Sequence, residues 1–347
     1  YCSAKMILNI VCNLKLKLII TINFIVLIFM LPFLKDAVVV LLSNGFMYLR
    51  ANLMSNISGI VNILFAYVCY PVIQVSILLG FILFFQGKKH GIKILIFSCF
   101  NMFVYQMIFA ARNGFIIILV FGIFSYLKCR LPAKIAGIKN LKRKQKITIA
   151  LITVLIVGIV VFITLQRSFK GKSLLENAYI YYVSGPNYLS SLLKNNKISY
   201  LYGRATFGFV YNTFAMLINA FGGNILDTNT LINSHITDVY YNISHTTHIN
   251  AMSTVYFPFI MDWGYIGIVF GTGLLAFVAI GIARKCKKNN NIRWYAFYIY
   301  FLYFIYRTIF KSDAISPSFL FVLIYIILFT SRKRMNLKNT FRIKKKL

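Results

Sequence analysis

Residues 255–283 read VYFPFIMDWGYIGIVFGTGLLAFVAIGIA, an apolar stretch with a single charged residue, Asp262. A hydrocarbon core about 30 Å thick is crossed by roughly 20 apolar helical residues, so the stretch reads as a membrane span. A charge at the centre of such a helix costs about 2.5–3.5 kcal/mol, which puts Asp262 at the mouth of the span, within reach of water. The rest of the chain follows the same pattern. Hydrophobic residues make up 59% and charged ones 13%, against about 25% charged in an ordinary soluble domain. The fold class expected is an all-α polytopic membrane protein.

The remaining apolar runs cover residues 18–34, 60–85, 92–109, 114–127, 147–165, 294–310 and 318–330, giving about eight spans with the first. With the N-terminus in the cytoplasm, the inner loops and tail hold 27 of the 38 Lys and Arg, as the positive-inside rule requires. The same assignment places Asp36, Glu176, Asp227, Asp238, Asp262 and Asp313, all the acidic residues, on or near the outer side. One long helix over 92–127 would put the basic loop KCRLPAKIAGIKNLKRKQK (128–146) on the wrong side, so the chain is expected to turn at AARNG (110–114). The domains expected are a five-span bundle over 1–165, a large outer loop over 166–254, a three-span bundle over 255–330 and a basic cytoplasmic tail over 331–347. Because the chain opens on Tyr1 and not Met, a truncated N-terminus is also expected.

The net charge of +32 lies in short runs between apolar segments, where it sets topology, so nucleic acid is set aside as a partner. The six cysteines show no CxxC spacing and none falls in the large loop, which argues against a disulfide framework or a metal site. GxSxG, P-loop and dinucleotide motifs are missing, as is any DxD pair for metal-dependent sugar transfer. No cofactor is expected. The spans carry almost no ionisable residues, and the halves show no repeat, which disfavours a transporter.

A loop of about ninety residues between spans is uncommon unless it has a task. Its apolar piece FGFVYNTFAMLINAFGG (207–223) is expected to form a re-entrant or interfacial helix roofing an outer cavity. Outer cations are scarce, and Arg112, Arg167, Lys170, Arg204 and Arg307 stand at the membrane edge or in this loop. A guanidinium fork matches phosphate bidentately, so such residues fit a lipid pyrophosphate; snorkelling to ordinary lipid phosphates is the alternative. The loop is dense in tyrosine, including Tyr181, Tyr182 and Tyr202, which suits either a saccharide groove or an interfacial aromatic belt. His245 and His248 in SHTTHIN lack a third ligand at a metal-site interval, and proton transfer or a structural hydrogen bond fits them better. Asp262 admits two roles, acid–base work and capping of the helix C-terminal to it.

The segment HINAMSTVYFPFIMDWGYIGIVFGTGLLAFVAIG (248–281) resembles the signature of bacterial oligosaccharide repeat-unit polymerases, the Wzy-type enzymes of O-antigen and capsular polysaccharide synthesis. The resemblance rests on Asp262, Trp263, Gly264 and Gly267, and extends to AARNG, to YYVSGPNYL (181–189) and to YLYGRATFG (200–208). The paired Arg-x10-Gly pattern of some members is not evident. The resemblance implies a metal-independent glycosyltransferase in the bacterial cytoplasmic membrane, both termini of this chain in the cytoplasm. It would transfer a glycan from undecaprenyl pyrophosphate onto a second lipid-linked repeat unit, beside a flippase and a chain-length regulator as partners. It implies roles for Arg204, His248 and Asp262 in catalysis, and for Arg112, Arg167, Lys170, Tyr181, Tyr182, Tyr202 and His245 in substrate binding. An O-antigen ligase, or a transporter of lipid-linked oligosaccharide, is the alternative.

Overall fold

The computed structural model describes residues 15–56, 59–111, 113–130, 174–195, 200–226, 241–244, 247–249, 254–289, 291–310 and 312–331, with isolated positions 154, 158, 161 and 228. These residues are overwhelmingly helical. Among the described residues, four helical stretches are long and apolar enough to cross a membrane: Leu16–Asn44, Gly59–Phe85, Lys89–Ile108 and Ile266–Lys288. Helices satisfy every backbone group internally, which is why apolar runs of this length adopt no other form in lipid.

In chain order α1 is Leu16–Asn56, α2 Gly59–Phe85, α3 Lys89–Ile108 and α4 Asn113–Ser125. A π-turn, Phe65–Cys69, interrupts α2, and a second, Tyr126–Arg130, ends α4. Next in the chain come α5 (Leu174–Asn195), α6 (Gly208–Ala220) and a two-stranded antiparallel hairpin of β1 (Tyr241–Ser244) and β2 (Thr247–Ile249). The C-terminal part comprises α7 (Tyr256–Trp263), α8 (Ile266–Lys288), α9 (Ile292–Arg307), a 3-10 turn at Asp313–Ile315 and α10 (Pro317–Thr330). The span expected over 147–165 lies outside the described residues, apart from three helical positions.

The expected turn at AARNG is present. A methyl group at Gly114 would overlap Met102 and Gln106, whereas positions 102 and 114 of one continuous helix would stand about 18 Å apart. The chain therefore doubles back between α3 and α4. Packing in the bundle is aromatic and aliphatic: Phe65 is wholly buried, with the rings of Phe29, Phe33, Tyr105 and Phe109 within 6.0 Å of its own. Asn23 donates to Ser76 Oγ at 2.7 Å and Asn101 donates to the Asn23 carbonyl at 2.9 Å, joining α1, α2 and α3 by the hydrogen bonds that an apolar solvent leaves uncontested.

The bundle has two chemically different ends. At one, Lys15 N–H donates to Phe329 O at 3.1 Å, Arg293 donates to Thr330, and Lys128 and Lys285 lie over the rings of Tyr298 and Trp294. At the other, Ser318 donates to Ala66 O at 2.8 Å and Val255 N–H donates to Thr308 O at 3.0 Å. Helices α9 and α10, at about 24 Å and 21 Å by helical rise, are shorter than a 30 Å hydrocarbon core. The turn at Asp313–Ile315, helix α7 and the loop at 201–207 cover their ends away from the basic side.

The single span expected over 255–283 is not what forms. Residues 255–283 are two helices and not one span. Methyl groups at Gly267 and Gly271 would overlap the Phe259 carbonyl and ring, so α7 folds back along α8. The reversal sits at Gly264, whose φ of 64° and ψ of −157° fall where a side chain is heavily disfavoured.

Candidate functional site

The site is built on the segment just past Tyr200. Tyr202 and Gly203 take φ of 48° and 90°, turning the chain so that Phe207 N–H donates to Gly203 O at 3.0 Å and closes one helical turn. The first amides of a helical turn have no partner within it. Here the amides of Ala205 and Thr206 donate to Asp262 across 57 and 56 residues of sequence, to Oδ1 at 3.0 Å and Oδ2 at 2.6 Å. Leu201 N–H adds a third bond, to Met261 O at 2.8 Å. Asp262 is 1% exposed, and the two amides satisfy both oxygens. The carboxylate thus caps a helical turn, but one contributed by a distant loop. The N-cap of α8 is Tyr265, which makes no side-chain cap bond, so the expected capping of the next helix by Asp262 does not occur.

Beneath this junction Tyr188, Leu192, Ala205, Phe257, Met261 and Ile315 form a small apolar core of their own. Those side chains come from the YYVSGPNYL stretch and its continuation, from YLYGRATFG, from the helix α7 that carries Asp262, and from the 3-10 turn. Gly208 lies so close to the Ile315 backbone that an added methyl would stand 2.8 Å from its Cα. Asn212 then ties α6 down, donating to Ile315 O and accepting from Thr228 N–H, both at 2.8 Å.

Above the junction the loop displays its side chains. Tyr202 is 83% exposed, its ring 6.3 Å from that of Tyr200. The exposed Arg204 guanidinium lies 5.3 Å from the centre of the Tyr211 ring and has no carboxylate partner among the described residues. A planar cation held over an aromatic face keeps its N–H edge open to an anion. Arg307 is used differently: it grips Asp313 through two nitrogens, at 3.0 Å and 3.4 Å, and so fixes the turn between α9 and α10.

Of the residues singled out in the sequence, Asp262, Arg204 and Tyr202 come together here. Tyr181 and Tyr182 fall on α5, and His248 falls on β2 opposite Asn242, but their side chains lie outside the described part of the chain. Arg112, Arg167, Lys170 and His245 also lie outside the described residues. Among those described, no three His, Cys, Asp or Glu side chains gather as a metal ion would require. The carboxylate–amide link and Asn212 were not foreseen; an Asp two residues before a glycine does not say which distant amides it will meet.

No known protein family, curated protein or solved structure matches the chain.

Proposed function

We propose that the chain is a membrane glycosyltransferase of the oligosaccharide repeat-unit polymerase type, working on lipid-linked glycans at the outer face of the bacterial cytoplasmic membrane. One observation carries this reading. Three segments resembling that family, far apart in sequence, meet in one small core, and Asp262 fastens the loop that presents Arg204. About eight spans, with the site at the end away from the basic loops, complete the arrangement.

In the reaction a hydroxyl oxygen of the acceptor sugar bonds to the anomeric carbon of the donor glycan. The bond from that carbon to the lipid pyrophosphate breaks, and the pyrophosphate leaves with the electron pair. The hydroxyl proton passes to a base, the part given to His248. Arg204 takes the charge developing on the leaving pyrophosphate, where fixed cations contribute most. Tyr202 and Tyr200 offer flat, hydroxyl-tipped rings to the sugars. Asp262 acts through the loop, as the residue that positions Arg204. Arg112, Arg167, Lys170, Tyr181, Tyr182 and His245 remain candidates for binding on the sequence alone.

The test is deletion of the gene in its native host, with the surface glycan resolved on a gel beside the complemented strain. Collapse of a ladder to a single repeat unit on its acceptor is the expected result. Full-length chains accumulating on the lipid carrier would identify a ligase instead, and an unchanged ladder would remove both.

A further inference from the structure

A second surface lies alongside the motif core on α5. Tyr188 and Leu192 of this helix are buried in that core. Leu189, Ser190, Leu193 and Lys194 form a neighbouring stripe, and together with Tyr256 and Tyr265 they line a groove of about 440 Å³. Tyr256 opens α7 and Tyr265 lies just past its last residue, so the groove runs the length of that helix. Its walls are largely apolar, but with Thr254 it gathers four hydroxyl groups and one ammonium. Lys194 is exposed and meets no carboxylate among the described residues.

The surroundings say what such a groove would hold. Tyr265 leads directly into Ile266, Val269 and Phe270, which are 78%, 74% and 56% exposed on the long apolar helix α8. Large apolar side chains this exposed on a helix of spanning length face lipid. Lys285 marks the basic end of α8, and twenty residues of helical rise back from it, about 30 Å, reach Tyr265. The groove therefore sits at headgroup depth, with a lipid-facing wall running down from its rim.

We propose that this groove binds the phosphate head of an anionic membrane lipid. The Lys194 ammonium and the hydroxyls of Ser190, Tyr256 and Tyr265 meet the phosphate oxygens, and the lipid chains descend along Ile266, Val269 and Phe270. The site is distinct from Arg204, and it rests on the membrane placement of α8, not on glycan transfer.

Native mass spectrometry of the full chain, released from nanodiscs of mixed phosphatidylglycerol and phosphatidylcholine, tests it. The wild type is expected to retain phosphatidylglycerol in preference to phosphatidylcholine. Lys194→Gln, which removes charge-assisted bonds to phosphate, lowers that retention about tenfold. Leu193→Trp, which fills the groove without changing charge, lowers it comparably, whereas Lys288→Gln at the basic end leaves it unchanged. Wild-type retention in both groove variants would overturn the proposal. So would equal retention of the two lipids, or full occupancy by inorganic phosphate in pure phosphatidylcholine discs, which would mark a site for free anions. None of these readouts involves polymer, so the glycan ladder can fail while this binding holds, and the reverse.

Discussion

Asp262 bears on the proposed site through the backbone it holds. Its carboxylate accepts two backbone amides in a nearly water-free position, and hydrogen bonds to a charged acceptor are worth about 1.5–3 kcal/mol each. Asp262→Ala is expected to cost about 2–5 kcal/mol, read as a lowered Tm of the purified protein, because it leaves two buried amides unpaired. Asp262→Asn is the sharper test. Its amide group can accept one of the two N–H groups but turns its own donors toward the other, so stability falls along with polymer yield. A proton acceptor alone would give the opposite split, with intact stability and lost polymer. Arg204→Ala removes an exposed side chain and should change stability by no more than about 0.5 kcal/mol while shortening the glycan ladder. An unchanged ladder would end its assignment to the pyrophosphate. The sequence marked both residues as unusual, an acid and a base beside apolar runs. It could not pair Asp262 with Ala205 and Thr206, because a contact across more than fifty residues leaves no local pattern.

At the scale of the element, the informative error concerns residues 255–283. Composition and length alone read them as one span, since apolar residues continue across the break. The interruption is conformational and lies in the glycines. Gly264 takes a backbone conformation that L side chains disfavour, and Gly267 and Gly271 let α7 lie directly against α8. Gly264→Ala should cost about 1–3 kcal/mol through backbone strain. Gly267→Leu should cost more, since its side chain must displace the Phe259 backbone, and the loss of α7 docking would take the Arg204 loop with it. Thermal unfolding of both variants, with the ladder as the functional readout, checks this order. The 3-10 turn depends on a similar local bond: Arg307 and Asp313 form a bidentate pair with side chains 16% and 21% exposed. Arg307→Ala is expected to cost about 2–3 kcal/mol and Arg307→Lys less, because lysine keeps the charge and loses the fork. Among the outer cations Arg307 looked as suited to phosphate as Arg204. What separates the two among the described residues is the carboxylate: Asp313 meets Arg307, and none meets Arg204.

At the scale of the whole molecule, the legible part was the coarse architecture, for a physical reason: lipid allows helices and little else, so apolar length and loop charge report directly on spans. The helices α2 to α4, α9 and α10 lie close to where the apolar runs placed them, whereas α1 continues to Asn56, well past the run expected over 18–34, and α8 begins only at Ile266; the reversal at AARNG follows from charge parity. The shortness of α9 and α10 carries the argument further. Two helices that stop about 6–9 Å below the thickness of the hydrocarbon core leave a depression, and polar backbone in that depression is tolerable only where protein surrounds it. Helix α7, the 3-10 turn and the loop at 201–207 fill it, which sets Asp262 at the end of the bundle away from the basic side, buried within the protein. In the proposed topology the Asp262 end faces outward and the basic end faces the cytoplasm. Tyr202→Cys, at a position 83% exposed, should react with a membrane-impermeant maleimide on intact cells, and Lys288→Cys should react only after permeabilisation. Cys69, Cys129 and Cys286 are buried, so replacing Cys2, Cys12 and the half-buried Cys99 by serine keeps the background low. Labelling of both engineered cysteines from one side would refute the two-ended bundle, and with it the outer site, whatever the glycan shows.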